Sequence, residues 1–306
     1  MSSSPSPTIS HPHRSRLKLY IQKRSPHDSL THDSSTHDSR THDRRQLTVL
    51  PQHLRPSSLN PMKAFLTLTW TETKLFLREP MATFFTVAFP LLLLFAFGAI
   101  FGNGPGSAPG EVGYTTYALP GYVALTIGSL GLLGLPTALA VYRDQGILRR
   151  FRVTPLRPAA VLGAQAVVHL AMLIASTLLL TGAALWVFRV PLPERLLLTL
   201  GALLLAGLSF LAVGFLLGAV LPTVRAAQAV GNALFFPMLF LSGAAIPQFL
   251  FPEWLKTTSL ALPLTHAARL LQAAWLQGQW NGSSSLVLVG MGVACAGVGA
   301  YVFRWT

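Results

Sequence analysis

The sequence predicts an all-α polytopic membrane protein with six transmembrane helices, preceded by an interfacial amphipathic helix. Two observations predict this class. Of the 306 residues, 51% are hydrophobic and only 11% are charged, whereas a typical soluble domain carries roughly a quarter charged residues. The apolar residues after position 80 also gather in six long runs, and most charges there lie between or beside those runs. Lipid is therefore the expected solvent for most of the chain.

The first 61 residues differ in composition, because they are polar and rich in Ser, Pro, His and Arg. They contain a five-residue repeat in which an Asp follows each of His27, His32, His37 and His42. Such a segment cannot bury enough apolar surface to offset its chain entropy, so residues 1–61 are predicted to be a disordered low-complexity tail. Loose metal binding by the repeat is a less favoured alternative, and a translation start at Met62 is another. Residues 62–306 are predicted to form the transmembrane domain.

The amphipathic helix is predicted between residues 62 and 78, and Pro80 ends it. Polar side chains recur there at spacings of three and four, which places them on one narrow arc of a helix: Lys63, Thr67, Thr71, Lys74 and Arg78. The opposite, apolar side holds Phe65, Leu68, Leu75 and Phe76. A helix of this kind is suited to lie in the membrane interface with its basic stripe towards the lipid headgroups.

Each of the six apolar runs approaches or exceeds the about 20 residues that a helix needs to cross a bilayer. The predicted spans cover residues 81–101, 118–141, 161–187, 196–221, 226–246 and 286–303. Pro90, Pro136 and Pro237 lie inside them, which membrane helices tolerate where neighbouring helices satisfy the freed backbone groups. Gly214 and Gly218 form a small-xxx-small pair that favours close helix packing.

Basic residues near the span ends predict the orientation. The loop after the second span holds Arg143, Arg149, Arg150, Arg152 and Arg157, and Arg225 and Arg304 follow the fourth and sixth spans. On the opposite side, the first connection, residues 102–117, has no basic residue, and the next one holds Arg189 and Arg195. Both termini and the arginine-rich loop are therefore expected on the cytoplasmic side of the membrane, which is expected to be a bacterial inner membrane. The net charge of +13 is explained by this topology, so no nucleic-acid partner is expected.

The sequence also indicates where the energy for transport enters. It contains no G-x-x-x-x-G-K-[ST] phosphate loop, so this chain is not predicted to hydrolyse ATP itself. No Asp or Glu lies inside the six runs, and His169 is the sole ionisable group well inside one. A hydrogen bond to a neighbouring helix is the favoured role of His169, and proton transfer in an ion-gradient-coupled carrier is the alternative. The energy is therefore expected to come from a partner on the cytoplasmic face.

The expected docking segment is residues 142–158, YRDQGILRRFRVTPLRP. Ile147, Leu148 and Phe151 recur at helical spacing and form a short apolar ridge, which Arg149 and Arg150 border. Such a ridge can insert into a groove on a partner protein. A solvated basic loop is the alternative, and the apolar ridge favours docking.

Three segments, taken in order, resemble the membrane subunits of type-2 ABC exporters, the group that includes daunorubicin-resistance permeases. They are LFLREP at the end of the amphipathic helix, RDQGILRRFRVTPLRP after the second span, and LSGAAIPQFLFPEWL followed by LPLTHAARLLQ. The resemblance covers residues 62–303. It implies that two such subunits, or this one and a similar permease, pair with two ABC ATPase subunits and form the export path between them.

The resemblance also implies roles for individual residues. The positions that match the family's coupling segment, which contacts the ATPase, are Asp144, Gly146, Leu148, Thr154 and Pro155. Tyr142 and Ile147 depart from the residues the family often has there. Ser242, Gly243 and Pro247 are expected at the outer end of the fifth span. Residues 249–279 are expected to form short re-entrant helices in the outer leaflet, with Trp254, Trp275 and Trp280 at the membrane interface.

The predicted function is that of a permease subunit moving an amphipathic drug, lipid or glycolipid out of the cytoplasm. No catalytic residue, metal site or bound cofactor is expected in this chain, since ATP and Mg²⁺ would be held by the partner. Cys295 is the sole cysteine, so no intrachain disulfide is expected.

Overall fold

The computed structural model describes residues 61–106, 109, 112–144 and 158–302, and it contains no strand within these ranges. The helices are α1 (Pro61–Arg78), α2 (Pro80–Phe101), α3 (Tyr114–Asp144), α4 (Pro158–Phe188), α5 (Leu196–Val220), α6 (Val224–Leu241), α7 (Glu253–Ser259), α8 (Pro263–Leu276) and α9 (Gly282–Val302). Each of α2 and α3 contains one π-helical turn, Phe84–Ala88 and Leu130–Gly134.

Six helices in the described part of the chain are long and apolar enough to cross a membrane: α2, α3, α4, α5, α6 and α9. The predicted all-α class with six spans is thus confirmed. The second span is longer than the predicted residues 118–141. Its helix begins at Tyr114 and continues to Asp144. α1 ends at Arg78, and Pro80 opens α2, as the sequence predicts.

Helix α3 lies at the centre of the bundle. Its most apolar stretch is 94% buried, against 17% to 44% for the other spans. Glycines allow its neighbours to approach closely: a Cβ on Gly214 of α5 would lie 2.5 Å from the carbonyl oxygen of Gly131. A Cβ on Gly218 would meet the side chain of Leu139 at 2.5 Å. The predicted close packing through Gly214 and Gly218 is confirmed, and its partner is α3.

Helix α1 packs beside α4, and the face that it turns to the bundle carries both an apolar and an acidic side chain. Phe76 is buried in the bundle, whereas Leu75 is about half exposed, so these two apolar residues have different surroundings. Glu72 is buried as well. Glu72 and Phe76 are four residues apart and therefore share one face of the helix. The Thr83 hydroxyl donates a hydrogen bond to the Phe76 carbonyl at 2.9 Å, which fastens the start of α2 to α1.

The fifth span ends earlier than the sequence predicts. The predicted span reaches residue 246, but α6 ends at Leu241 and residues 242–246 are non-helical. Gly243 turns the chain with a φ of +82°, a left-handed conformation that glycine adopts readily. The turned segment is buried against α3, because a Cβ on Gly121 would lie 2.6 Å from the carbonyl oxygen of Ala244.

The region after α6 folds as short helices, as expected; α7 is mostly exposed, whereas α8 is largely buried. The 3₁₀ turn Gln248–Leu250, α7 and α8 follow one another, and none of them is long enough to span. Trp254 is exposed and Trp280 is nearly half exposed. Trp275 is buried, so its predicted interfacial position is wrong. It lies on the face of α8 that packs into the bundle together with Leu264 and Leu271.

Candidate functional site

The bundle has two ends. The basic end is defined by Arg143 and Arg225 and by the ends of α3 and α4 that flank residues 145–157. The far end holds the turn after α2 and the segment from Ser242 to α8.

The last turn of α3 is tied to the α5–α6 turn. Arg143 donates hydrogen bonds from Nη1 to the Leu221 carbonyl at 2.9 Å and from Nη2 to the Ala219 carbonyl at 3.3 Å. Asp144 accepts a hydrogen bond from the Val224 amide at 3.3 Å. Both contacts suit the partial charges at helix ends, since a cation meets the carbonyls that close α5 and an anion meets an amide that opens α6. The residues that lead into segment 145–157 are therefore anchored.

Most of the predicted docking residues lie outside the described residues. They are Gly146, Ile147, Leu148, Arg149, Arg150, Phe151, Thr154 and Pro155. Asp144 is described, and it is exposed at the end of the central helix. Their role in contacting a partner stays a prediction.

A cavity of about 130 Å³ opens beside this end, between α1, α3 and α4. Its polar lining includes Glu72, Thr137, Gln165 and His169, and the remaining wall is mostly apolar. The Gln165 side-chain amide donates to the Glu72 carboxylate at 2.7 Å and to the Tyr142 hydroxyl at 2.8 Å. One amide group thus links three helices.

Glu72 is 6% exposed. Burial raises the pKa of its carboxyl above the usual range, and hydrogen bonds with Tyr142 and Gln165 counteract this in part. This buried acid was not predicted from the sequence, because it lies in the amphipathic helix, outside the six apolar runs. The available signal was its spacing, since residues 72 and 76 share a face and Phe76 was expected to be apolar-facing.

His169 is 1% exposed, and its contacts differ from those predicted. Its Nδ1 lies 2.8 Å from the backbone carbonyl of Gln165 in the same helix, not from a neighbouring helix. Its Nε2 is buried and makes no hydrogen bond within the described part of the chain. Phe76 packs edge-on against the ring at 5.5 Å between centroids. The predicted hydrogen bond to a neighbouring helix is therefore wrong for the described residues, because Nδ1 bonds within its own helix and Nε2 has no partner among them.

The far end contains a polar cluster around Gln248. Its side-chain nitrogen donates to the Ser242 carbonyl at 3.0 Å and to the Ser259 hydroxyl at 3.1 Å. Its side-chain oxygen accepts from Arg269 at 3.1 Å. Of the predicted outer residues, Ser242 and Gly243 thus pack with this cluster, and Pro247 directly precedes Gln248. Trp254 does not join it, since its side chain is 69% exposed.

Metal chemistry finds no support in this part of the chain. Within the ranges that the structure describes, no three His, Cys, Asp or Glu side chains lie close enough to share a metal ion. Cys295 is unpaired and half-buried in α9.

The membrane architecture and the order of its parts are matched by a known family. Residues 63–276 match the model of the family described as ABC-2 type transporter. The chain belongs to the ABC-2 type transporter family. The match runs from α1 to α8, so it includes the basic end, the cavity and the far-end cluster, while α9 follows the matched residues.

Named relatives of this ABC-2 chain are permeases. The putative transport permease ycf38 of Cyanophora paradoxa is 29% identical over 213 residues, 68% of this chain and 73% of that protein. The daunorubicin resistance ABC transporter permease protein DrrB1 of Streptomyces coeruleorubidus is 27% identical over 229 residues, 72% of this chain and 78% of that protein. The probable multidrug ABC transporter permease YbhR of Escherichia coli K12 is 25% identical over 199 residues, 62% of this chain and 53% of that protein. This chain is accordingly a multi-pass membrane permease of the ABC-2 type.

Proposed function

We propose that the chain is the membrane-spanning permease subunit of an ATP-driven exporter in the bacterial inner membrane. A separate ABC ATPase subunit hydrolyses ATP and docks on residues 145–157, which face the cytoplasm together with both termini. A second copy of this chain, or a similar permease, completes the export path. The cargo is an amphipathic drug, lipid or glycolipid.

One observation carries the proposal: the central helix α3 connects the docking segment to the far end without a break. It runs from Tyr114 to Asp144 and is the most buried span. At the basic end Arg143 and Asp144 anchor it to the α5–α6 turn. At the far end its Gly121 lies against the Ser242–Ile246 turn. A push on residues 145–157 therefore acts directly on a packed helix that reaches the opposite side.

The relatives support the exporter class. DrrB1 and YbhR carry names that denote drug resistance and multidrug ABC transport. The orientation is supported by the arginines of residues 143–157, which the positive-inside rule places in the cytoplasm. The far-end cluster around Gln248, with Ser242, Gly243 and Pro247, then acts as the outer gate.

The docking role is tested by changing both Leu148 and Phe151 to Asp. We expect the double variant to lose co-purification with the ATPase, because two desolvated carboxylates cannot enter an apolar groove. The matched control changes Leu250 and Trp254 to Asp, two exposed apolar residues at the far end. The control should retain the ATPase. Undiminished pairing of the Leu148/Phe151 variant would contradict the docking site.

The energy source is tested with the purified permease in vesicles. Cargo movement should require both ATP and the ATPase subunit. Transport by the permease alone, without nucleotide, would overturn the proposal.

A second candidate function is an ion-gradient-coupled carrier that uses His169. The buried Nε2 of His169, which has no hydrogen-bond partner among the described residues, and the Glu72 carboxyl in the wall of the same cavity favour it. In that case transport would collapse in a His169→Ala variant and would follow an imposed proton gradient without ATP. Retained ATP-dependent transport by that variant would eliminate this candidate.

A further inference from the structure

A groove of about 420 Å³ opens on the surface of the bundle between α4, α5 and α9. None of the ten described side chains that line it contains a nitrogen or oxygen atom, and half of the ten residues are Ala or Gly. Leu208 is 52% exposed, and Ala296 and Ala300 are exposed as well. The groove is therefore an accessible apolar depression, formed where small side chains leave space between three helices.

The groove lies in the membrane-spanning part of the protein, because α4, α5 and α9 are all long and apolar enough to cross a bilayer. On α5 its lining extends from Leu208 to Phe215, which is about 10 Å of helix at about 1.5 Å per residue. Phe215 and Leu162 lie towards the basic end, where α5 ends and α4 begins. One leaflet contributes about 15 Å of hydrocarbon, so the groove covers much of the leaflet on the basic side.

The lining of the groove is suited to hydrocarbon. An empty groove would forfeit the dispersion contacts of its lining atoms. Water would find no polar side chain there, although an ordered water needs roughly two to four polar partners. The acyl chains of membrane lipids are the hydrocarbon that surrounds the spans, and a linear chain can follow the groove along α5. One acyl chain is therefore the expected occupant.

The groove is backed by the central helix, and a cation lies beyond its basic end. Leu211 lines the groove and belongs with Tyr142 of α3 to one buried cluster, against which Phe215 packs. Arg143 follows Tyr142 and donates from Nη2 to the Ala219 carbonyl at 3.3 Å. Ala219 is four residues beyond Phe215, so it lies on the same side of α5 and about 6 Å further along the helix axis. The guanidinium is thus held about one helical turn beyond the groove.

The charge at this end favours an anionic headgroup. The guanidinium of Arg143 has five N–H donors, and the bonds to the Leu221 and Ala219 carbonyls use two of them. The neighbouring Asp144 accepts a hydrogen bond from the Val224 amide at the start of α6, a helix that does not line the groove. No acidic residue is among the described lining residues. Arg143 can therefore donate to a phosphate, for which arginine is well suited.

We propose that this groove binds an anionic phospholipid, with one acyl chain along α5 and the phosphate beside Arg143. Phosphatidylglycerol carries the phosphate charge without an ammonium group. Phosphatidylcholine has the same phosphate and adds a cation that the arginine repels. The attraction of one arginine for an anionic headgroup corresponds to about fivefold in affinity. The inference needs only a bundle in a bilayer, so it does not rest on the proposed export function.

The test uses the full-length protein in phosphatidylcholine nanodiscs that contain a small fraction of one photoactivatable lipid. This lipid is phosphatidylglycerol or phosphatidylcholine, each with a diazirine in one acyl chain, and mass spectrometry locates the labelled residues. Labelling at residues 162–166, 208–215 and 295–300 is compared with labelling at Leu178 of α4, which is 67% exposed and outside the lining. We expect the groove-to-Leu178 ratio to be about fivefold higher with phosphatidylglycerol. Equal ratios for the two lipids overturn the proposal.

Two pairs of variants localise the lipid. Ala296→Phe fills the groove and should abolish its preferential labelling, whereas Ala294→Phe, at an exposed alanine of α9 outside the lining, should retain it. Arg143→Gln should lower the phosphatidylglycerol ratio to the phosphatidylcholine value, whereas Arg225→Gln, at an exposed arginine of α6, should preserve the difference. Should a groove variant fail to fold, the two-lipid comparison on the unchanged protein still decides. A folded Ala296→Phe or Arg143→Gln protein with unchanged preference overturns the proposal.

A second copy of the chain is the alternative occupant. It would shield the groove from both lipids and bring two such surfaces together. Cys295 lines the groove and is the sole cysteine of the chain, so a short bismaleimide would then join two copies through it. Loss of groove labelling relative to Leu178, together with this crosslink, would overturn the lipid assignment. Preferential labelling by phosphatidylglycerol without the crosslink supports it.

Discussion

The Arg143 guanidinium lies 2.9 Å from the Leu221 backbone carbonyl, joining the end of the central helix α3 to the end of α5. The same side chain reaches the Ala219 carbonyl at 3.3 Å. The last four carbonyls of a helix have no partner within that helix, so this arginine satisfies two groups that otherwise depend on water. Arg143 therefore has a structural role besides its contribution to the positive-inside charge.

The first prediction concerns Arg143→Ala. It should lower the free energy of unfolding by about 1 kcal/mol, because the half-buried side chain loses two charge-assisted hydrogen bonds that water partly replaces. The measurement is thermal unfolding in detergent. Arg225→Ala, which removes an exposed arginine from the same end, is the control and should change stability by less than about 0.5 kcal/mol. Equal stability of the two variants would show that the Arg143 contacts contribute nothing.

The second prediction concerns the contact between α3 and α5. Gly214→Leu should destabilise the fold by about 1–3 kcal/mol, because its side chain would enter space that the Gly131 carbonyl occupies. Gly290→Leu is the matched control, since Gly290 of α9 is exposed and a Cβ there meets no atom within 4 Å. Unfolding midpoints of the two variants should differ clearly. A Gly214→Leu protein as stable as the control would mean that α3 and α5 do not pack as described.

The third prediction tests whether the turn after α6, at the far end, acts in transport without affecting ATPase docking at the basic end. Gln248→Ala removes the hydrogen bonds to Ser242, Ser259 and Arg269 and should loosen the turn after α6. If this turn is the outer gate, transport should fall several-fold while co-purification with the ATPase is retained. The measurements are vesicle transport and pull-down on the same preparation. Loss of ATPase pairing in this variant would indicate global damage and remove the argument for a gate.

The fourth prediction concerns pH and Glu72. Burial raises the carboxyl pKa above its ordinary value of 4.5, so the folded protein binds this proton more tightly than the unfolded chain. Stability should therefore fall as pH rises from about 4.5 through the raised pKa, by no more than about 1.4 kcal/mol per pH unit for one group. Glu72→Gln should lack this component. Parallel unfolding curves of the two proteins across pH would contradict it.

Much of the membrane architecture follows from local properties of the sequence. The length and hydropathy of an apolar run predict a span without knowledge of any other run. Pro80 separates α1 from α2 for an equally local reason, since proline favours the first turn of a helix. These predictions are confirmed. The docking residues 146–155 lie outside the described residues, so that part of the site stays a prediction.

The errors share a physical cause. Trp275 and the end of the fifth span were assigned from composition and spacing alone. Their true positions depend on which neighbour each side chain meets, and that neighbour is far away in sequence. The polar contacts of Glu72 show the same dependence, because its partners lie 70 and 93 residues further along the chain, at Tyr142 and Gln165.

The number of membrane-spanning helices can be predicted from local sequence, because each depends on a stretch of about 20 apolar residues matching the thickness of the bilayer. The positive charge of each loop can be read from the sequence in the same local way. The tertiary structure alone decided that α3 is the central helix, that Glu72 and His169 border one cavity, and that Gly243 turns the chain back onto α3. Inside a bilayer every span is surrounded by apolar groups. Hydrophobicity therefore does not show which face of a span meets lipid and which face meets another helix. Close approach of helices at glycines and hydrogen bonds between buried polar groups determine which faces pack together.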